Sequence, residues 1–350
     1  MGGEMEVAKI SVVLVEDEKG NIDAWNDHVA MHNADSKKIG FEVSTIVAKS
    51  AAEARQALVE NRADAIVVDL RLRTAGSAAP NDHGNDVVRY AHGAHPVAIA
   101  VYTGQSQEAE VQNFPQVEVF DRGDGLVPVF DWLGRQCDML QHLKEMRASV
   151  ESETARVFFS SVWPRWSKWT AQRGAVIKPM LFRHVVAHIH DNLMSANDGV
   201  AHPEETYFVP PIKSRVDTGD IVKDGEDLWI VVTPRCDLAT DDKVKVALLA
   251  QLQDISVRWK AAGSKERVRI SQHDGAHKNH FLPEMMDSAG CSQGPWFVNF
   301  TSLRVMPMVG DGGLKVATRI ASLTPQFVPS LVERFGAYFS RIGTPVVSDL

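Results

Sequence analysis

The chain has 350 residues, of which 44% are hydrophobic and 23% charged, with a formal net charge of -8. This composition is that of a globular protein of one to three domains and excludes a disordered chain. No apolar run approaches the roughly 20 residues of a membrane helix, and the first residues lack the basic and apolar regions of a signal peptide. Three widely spaced cysteines argue against a disulfide framework. We therefore expect a cytoplasmic protein.

Four apolar runs each end in residues that can carry chemistry. Short runs that are apolar on both faces are typical of strands buried in a parallel sheet. The carboxyl ends of such strands face the crevice where open α/β sheets bind ligands, although an aspartate there is also a common turn residue. The runs at 10–15, 65–68, 97–102 and 117–120 are followed by Glu16 and Asp17, Asp69, Thr103, and Arg122.

In this order the four strand ends resemble the receiver domain of two-component response regulators, over roughly residues 8–135. The resemblance implies a doubly wound, flavodoxin-like sheet of five parallel strands. It also implies a Mg²⁺ site, with Glu16, Asp17 and Asp69 as carboxylate ligands. The backbone carbonyl of Arg71, two residues past Asp69, would complete the protein ligands. Oxygen donors of this kind are the ligands that Mg²⁺ prefers.

The same resemblance implies a phosphoryl-transfer role. Asp69 would accept a phosphoryl group from a histidine kinase or a phosphotransfer protein, and Thr103 and Arg122 would contact that group. Arg122 stands where the family usually has lysine. Arginine keeps the charge and can bind phosphate through two donors, but its planar fork is longer. A receiver that binds partners without being phosphorylated is the alternative.

The segment after the central strand departs from the family pattern. Asp69 and Gly84 are 15 positions apart, and residues 73–84 read as a turn-rich insertion without periodicity. The insertion would either fold over the acidic residues, offer a partner a handle, or be a tolerated surface loop.

Helices are predicted between these strands and beyond them. A capping box at residues 50–53 predicts the start of one helix, and others are predicted at 21–32 and 85–92. The fifth helix should run from residue 126 to about 151. It carries an apolar stripe that would be a homodimer seam or would pack against the next domain. The stripe consists of Val129, Trp132, Leu133, Cys137, Leu140, Leu143 and Met146.

Residues 152–200 are predicted to be helical and contain two clusters of interest. The run at 163–173 alternates tryptophans with basic residues, a pattern that can stack bases and contact phosphates but also describes a helix core with solvated charges. We expect no nucleic-acid binding. His184 and His188 are four residues apart, share one helix face and could ligate a metal. The group His184, His188 and His190 could also hold the transmitter histidine of a phosphorelay, although the sequence has no kinase ATP site and no glycine-rich nucleotide motif.

The C-terminal part predicts a β-rich domain. We expect a receiver domain at 1–135, a helical connector at 136–205, and a small antiparallel barrel or rolled sheet at 206–350 that ends in a helix. Residues 219–222 and 233–238 resemble segments of receiver-linked proteins of bacterial defence loci. That resemblance implies a role in antiphage defence without assigning an activity. Short strands linked by a Gly turn are predicted within 217–222 and 227–238, with 233–238 as a turn, and further strands are predicted at 244–252, 296–303 and 304–309.

A second candidate site lies in this domain. Cysteine and histidine could bind zinc or form a nucleophile pair, but neither a CxxC pair nor an HExxH motif is present. The alternative is a capping aspartate, a buried cysteine and surface-loop histidines. The residues concerned are Arg235, Cys236 and Asp237 at a strand end and His273, His277 and His280 in one loop.

Three functions follow from these patterns. The first is a two-component signalling protein whose residues 206–350 bind another protein rather than DNA. The second is a receiver-regulated enzyme with its active site in the C-terminal domain. The third is a phosphate sink that drains a kinase and has no output. No DNA-reading helix pair stands out in the sequence.

Overall fold

A computed structural model describes residues 7–60, 63–73, 80–173, 177–195, 201–240, 243–309, 313–314 and 318–341. The chain divides into two units, Met1–Asn192 and Leu193–Leu350. Within the described ranges, no helix is long and apolar enough to cross a membrane.

The first unit is built on a sheet of five parallel strands. Alternate residues of the central strand enter different cores: Ile66 and Val68 pack in one, and Ala65 and Val67 in the other. A strand buried on both faces in this way needs the continuous apolar run that the sequence shows. The order β2-β1-β3-β6-β7 is the flavodoxin-like arrangement and confirms the predicted fold class. The strands are β1 Ala8–Val15, β2 Phe41–Ala48, β3 Ala65–Val68, β6 Ala98–Thr103 and β7 Glu118–Asp121.

Helices cover both faces of this sheet. Ile22 and Trp25 of the first helix and Trp132 of the fifth pack on one face, whereas Leu58 and Val88 pack on the other. At the predicted capping box, the Ser50 hydroxyl accepts from the Glu53 amide, as expected. The helices are α1 Lys19–Ala34, α2 Ser36–Ile39, α3 Ala51–Glu60, α4 Gly84–Ala94 and α5 Val127–Val157.

The predicted insertion contains regular structure that its sequence did not reveal. Strand β4, Arg71–Arg73, pairs with β5, Pro80–Asp82, as an antiparallel ladder directly after Asp69. Residues 74–79 lie outside the described residues. The ladder therefore starts three residues beyond Val68, the last residue of β3.

Helix α5 is longer than the helix predicted from residue 126 to about 151. Helix α5 has 31 residues, and its stripe packs on the parallel sheet of its own unit as far as Leu143, while Met146 is exposed. A π-helical turn at Phe158–Val162 and a 3-10 turn at Trp163–Arg165 follow. Helices α6, Trp166–Arg173, and α7, Ile177–Ser195, complete the predicted helical stretch.

The second unit is organised by an antiparallel sheet of seven strands in the order β12-β15-β11-β10-β9-β16-β8. This confirms the β-rich prediction. The order is open, since no pairing joins the edge strands β8 and β12 in the described part of the chain. The strands are β8 Tyr207–Phe208, β9 Asp220–Asp224, β10 Asp227–Val231, β11 Val246–Asp254, β12 Asn279–Leu282, β15 Trp296–Pro307 and β16 Arg319–Leu323; Met285–Met286 (β13) and Ser292–Gln293 (β14) form a separate hairpin.

The short strands expected within 217–222 and 227–238 correspond to β9 and β10. The turn expected at 233–238 contains the short helix α8, Arg235–Leu238, which follows Pro234. The strands expected at 296–303 and 304–309 are one strand, β15, whose register against β11 shifts at Ala250/Gln251. The remaining helices are α9 Ser256–Ala261, α10 Ser264–Ser271 and α11 Val328–Phe339.

Candidate functional site

The predicted site residues meet at the carboxyl edge of the parallel sheet. The Glu16 amide donates to the Ala48 carbonyl (3.0 Å) and the Asp69 amide to the Val15 carbonyl (2.9 Å), so both acids extend the ladder of the strands they follow. Parallel strands end at the same edge, which places the two carboxylates side by side. The sequence order of strand ends thus becomes one site.

Glu16, Asp17 and Asp69 form what we call the acidic pocket. One carboxylate oxygen from each lies within 4.8 Å of the other two. Glu16 and Asp69 are buried, and Asp17 is half-buried. This is the only group of three His, Cys, Asp or Glu side chains with metal-ligand spacing in the residues that the structure describes.

Burial dominates the protonation of the two deeper acids. Removal from water raises the pKa of Glu16 and of Asp69, because it disfavours the ionised form. The Glu18 amide, which donates to Glu16 Oε1 at 2.9 Å, opposes this effect, as does the Arg122 guanidinium. A positive charge next to these two closely spaced carboxylates would stabilise their ionised forms.

Thr103 and Arg122 complete the site. Thr103 is fully buried, and its side chain acts against the burial effect by lowering the pKa of Asp69. Asp121 lies opposite Thr103 in the ladder, so Arg122 follows one step beyond the end of the sheet. Arg122 Nη2 is 2.6 Å from Glu16 Oε2 and 3.4 Å from Asp69 Oδ1.

The Arg122 side chain also packs on an aromatic ring. Its guanidinium carbon lies 5.6 Å from the centroid of the Tyr102 ring. Its Nε is buried and has no hydrogen-bond partner among the described residues. Tyr102 was missed by the sequence reasoning, although its place one residue before Thr103 on the same strand could have indicated it.

Gly84 allows the helix after the hairpin to approach the site. A Cβ built on Gly84 would lie 2.4 Å from the Asp69 carbonyl oxygen and 2.4 Å from the Leu70 Cα. The Gly84 amide donates to the Leu70 carbonyl at 3.1 Å. Only glycine fits this contact, and it fixes the backbone that carries Asp69.

The acidic pocket fits a hard divalent cation. Its three carboxylates are oxygen donors, and their burial leaves a concentrated negative charge, which Mg²⁺ would neutralise. Arg122 already pairs with Glu16 and Asp69, so its charge competes with a bound cation. Arg71, the other predicted ligand, begins β4 two residues past Asp69.

The structure does not assemble the second predicted site. Cys236 is exposed on α8, and its thiol lies 3.7 Å from Asp237 Oδ1. The expectation that three histidines share a loop is wrong, because His280 is buried in β12 and its ring stacks on that of His273 at 5.0 Å. His277 is exposed. In the described residues of this unit, no three metal-ligating side chains converge.

The histidines of α7 form a pair without a third ligand. The rings of His184 and His188 lie 4.5 Å apart, and His184 Nε2 is 2.8 Å from the Ser161 hydroxyl. His190 is exposed. No acidic residue or cysteine joins them as a third ligand in the part of the chain that is described.

A buried polar network in the second unit was not predicted. Arg319 Nη1 donates to Asp220 Oδ2 at 3.0 Å, and both side chains are almost fully buried. Asp217 is also buried and accepts from Arg235 Nε at 3.1 Å. The feature of the sequence that could have indicated this network is the pair Asp217 and Asp220 on either side of Gly219, whose φ is +88°.

Comparisons with known proteins give structural likeness only. No family model matches the sequence, and no curated protein matches it. The signal receiver domain of a Luxo repressor protein from Vibrio parahaemolyticus is similar over 39% of this chain and 97% of its own, with 14% identity and a TM-score of 0.29. A two-component response regulator of the LuxR family from Aurantimonas sp. SI85-9A1 is similar over 41% of this chain and 99% of its own, with 18% identity and a TM-score of 0.28.

Proposed function

We propose that the first unit is a receiver module that accepts a phosphoryl group on Asp69. The observation that carries the proposal is the convergence of three carboxylates with Thr103 and Arg122 at one edge of a flavodoxin-like sheet. The donor would be a histidine kinase or a phosphotransfer protein, as the resemblance to two-component receivers implies.

The proposed chemistry follows from the position of Asp69. A carboxylate oxygen of Asp69 attacks the phosphorus of a phosphohistidine, the P–N bond breaks, and the imidazole leaves as a phosphoaspartate forms. Thr103, whose side chain lowers the pKa of Asp69, and Arg122, 3.4 Å from Asp69, supply donors for the phosphoryl oxygens. A bound Mg²⁺ would neutralise charge between the carboxylates and the incoming phosphoryl group.

Residues Glu16, Asp17 and Asp69 would hold that cation, with the Arg71 carbonyl as a further oxygen ligand. Because few protein ligands are available, several waters should remain on the ion and affinity should be weak. Tryptophan fluorescence titrated with Mg²⁺ should respond in the wild type and not in Asp17→Ala. An identical response in both proteins would mean that the acids serve only as caps.

Phosphoryl transfer can be tested with a small labelled phosphodonor and then with a purified kinase. Asp69→Asn should abolish an acid-stable, hydroxylamine-sensitive label. The matched control is Asp121→Asn, which changes a carboxylate at the end of β7, two strands from β3 in the sheet, and should keep the label. Full labelling of Asp69→Asn would refute the assignment.

In this proposal, residues 206–350 of the second unit bind another protein and so pass on the signal. The resemblance of the C-terminal segments implies that the pathway serves antiphage defence. If phosphorylation leaves the affinity for a partner unchanged, the module is a phosphate sink. A phage-plating assay that compares wild type with Asp69→Asn tests the defence setting.

A further inference from the structure

The charge of this chain is unevenly distributed. Residues 154–190, which we call the basic helical segment, contain six Lys and Arg residues and no Asp or Glu. All 45 acidic residues of the chain and 31 of its 37 basic residues lie outside this segment. Within an acidic protein this segment is therefore a cationic surface, and long-range attraction favours an anionic partner there.

The aromatic side chains of the segment lie on the surface. Trp163 is 65% exposed, Trp166 44%, Phe159 68% and Phe182 72%. A core role for the tryptophans, which their spacing equally allowed, is therefore wrong for Trp163 and Trp166. The expectation of no nucleic-acid binding depended in part on that core role. Exposed aromatic groups of this number mark an interaction surface.

Local contacts fix these side chains in place. The Phe158 ring lies 5.2 Å from Phe159 and 5.5 Å from Trp163, both in edge-on geometry. These contacts order an aromatic cluster whose outer faces remain open to solvent. A preordered aromatic platform loses little conformational entropy when a flat group stacks on it.

A second set of contacts ties α7 to the turns that precede α6. The Ser161 hydroxyl and Arg165 Nη2 lie 2.8 Å and 3.0 Å from His184 Nε2. The Arg165 guanidinium also lies 4.8 Å from the centroid of Trp169. The turns before α6 and the middle of α7 are therefore held side by side.

Its cations are available to a ligand. Lys168, Lys178 and Arg183 are exposed and form no salt bridge among the described residues. Arg165 contacts a serine and a histidine but no carboxylate in that part of the chain. By contrast, Arg156 at the edge of the segment pairs with Glu153 at 2.7 Å.

We propose that the basic helical segment is a docking surface for single-stranded nucleic acid. Exposed rings can stack on bases, and the free cations can contact phosphates, which is the chemistry of sequence-tolerant single-strand binding. A second copy of the chain fits less well, because two identical cationic surfaces would repel.

A membrane surface also fits less well. An interfacial helix needs its apolar and charged residues on opposite faces. In α7, Lys178 and Phe182 are both exposed and four residues apart, so a basic and an aromatic side chain share one face. This mixing suits alternating phosphates and bases.

The test uses the full chain with fluorescein-labelled 20-nucleotide oligo(dT) and oligo(U), followed by anisotropy at several salt concentrations. Four phosphate contacts predict a slope of log K against log salt of about -2.8, or roughly 50-fold weaker binding between 50 and 200 mM salt. The variant Lys168→Gln/Lys178→Gln/Arg183→Gln should reduce the slope to about -0.7. Trp163→Ala should weaken binding roughly 5- to 150-fold without changing the slope.

The matched control is Lys37→Gln/Lys260→Gln/Lys265→Gln, which removes the same charge from exposed positions outside the segment and should bind like wild type. Preference for one of the two oligonucleotides identifies DNA or RNA as the ligand. The proposal is overturned if neither oligonucleotide binds at 50 mM salt, or if the two triple variants behave alike. It is also overturned if only vesicles of phosphatidylserine and phosphatidylcholine bind. Asp69→Asn should bind normally, which separates this proposal from phosphorylation.

Discussion

Gly84→Ala should destabilise the first unit and disturb the acidic pocket together. The new methyl carbon would lie 2.4 Å from two backbone atoms, the Asp69 oxygen and the Leu70 Cα. Backbone cannot rotate aside as a side chain can, so helix α4 or the segment carrying Asp69 must move. Overpacking of this kind costs about 1–3 kcal/mol.

Gly93→Ala is the matched control, because it makes the same change in the same helix. A Cβ at Gly93 meets nothing within 4 Å. Alanine is the better helix former, so this variant should be unchanged or stabilised by up to about 1 kcal/mol. Any difference between the two variants therefore reports the close contact and not helix propensity.

Hydrogen exchange measured by mass spectrometry localises the effect. Peptides covering residues 63–73 and 84–94 should exchange roughly 5- to 150-fold faster in Gly84→Ala, as expected for a local stability loss of about 1–3 kcal/mol. Labelling of Asp69 by a phosphodonor should fall in the same variant. Equal exchange in Gly84→Ala and Gly93→Ala would refute the argument from steric contact.

Three further variants test the electrostatics of the chain. Arg122→Gln should bind Mg²⁺ about tenfold more tightly in a fluorescence titration, because a competing charge leaves the acidic pocket; unchanged affinity would contradict this. Burial lowers the pKa of His280 to about 3 and that of His273 to about 4. Between about pH 6.5 and pH 4, these imidazoles therefore gain protons in the unfolded protein and not in the folded one. The free energy of unfolding measured with urea should fall as the pH drops through this range. His280→Leu should flatten this pH dependence by up to about 1.4 kcal/mol per pH unit, and an unaltered slope would exclude its buried neutral imidazole as a source. Arg319→Met should cost about 3–5 kcal/mol in urea unfolding by leaving a buried carboxylate unpaired, and adding Asp220→Asn should recover part of that loss; no recovery would show that packing dominates.

The first unit could be predicted because its information is local. Each strand is a short apolar run, and the residues at its carboxyl end, such as Asp69 and Thr103, are determined by the same run. Parallel strands that end at one edge then bring these side chains together without further information. The acidic pocket is thus a direct consequence of strand order.

The second unit could not be predicted to the same depth. Its buried pair, Asp220 and Arg319, joins strands 99 residues apart in sequence, and nothing in either local sequence indicates the partner. Strand β15 read as two strands because its register shift against β11 is a property of the pairing and not of its own residues. Exposure is likewise tertiary information, so the spacing of Trp163 and Trp166 could not distinguish a core from a surface.

Helix α5 continues beyond its contacts with the parallel sheet of the first unit. It begins five residues after Arg122 and, with 31 residues, is about 46 Å long. The first half of the helix packs on the sheet, and beyond it Lys144 forms an ion pair with the buried Asp64 at 3.1 Å. Because the helix is held at least as far as Lys144, the part that can tilt is at most its last 13 residues, about 20 Å long. A tilt of about 10° there would carry Val157 through about 3 Å, so movement at the end of the helix stays small unless the sheet itself moves.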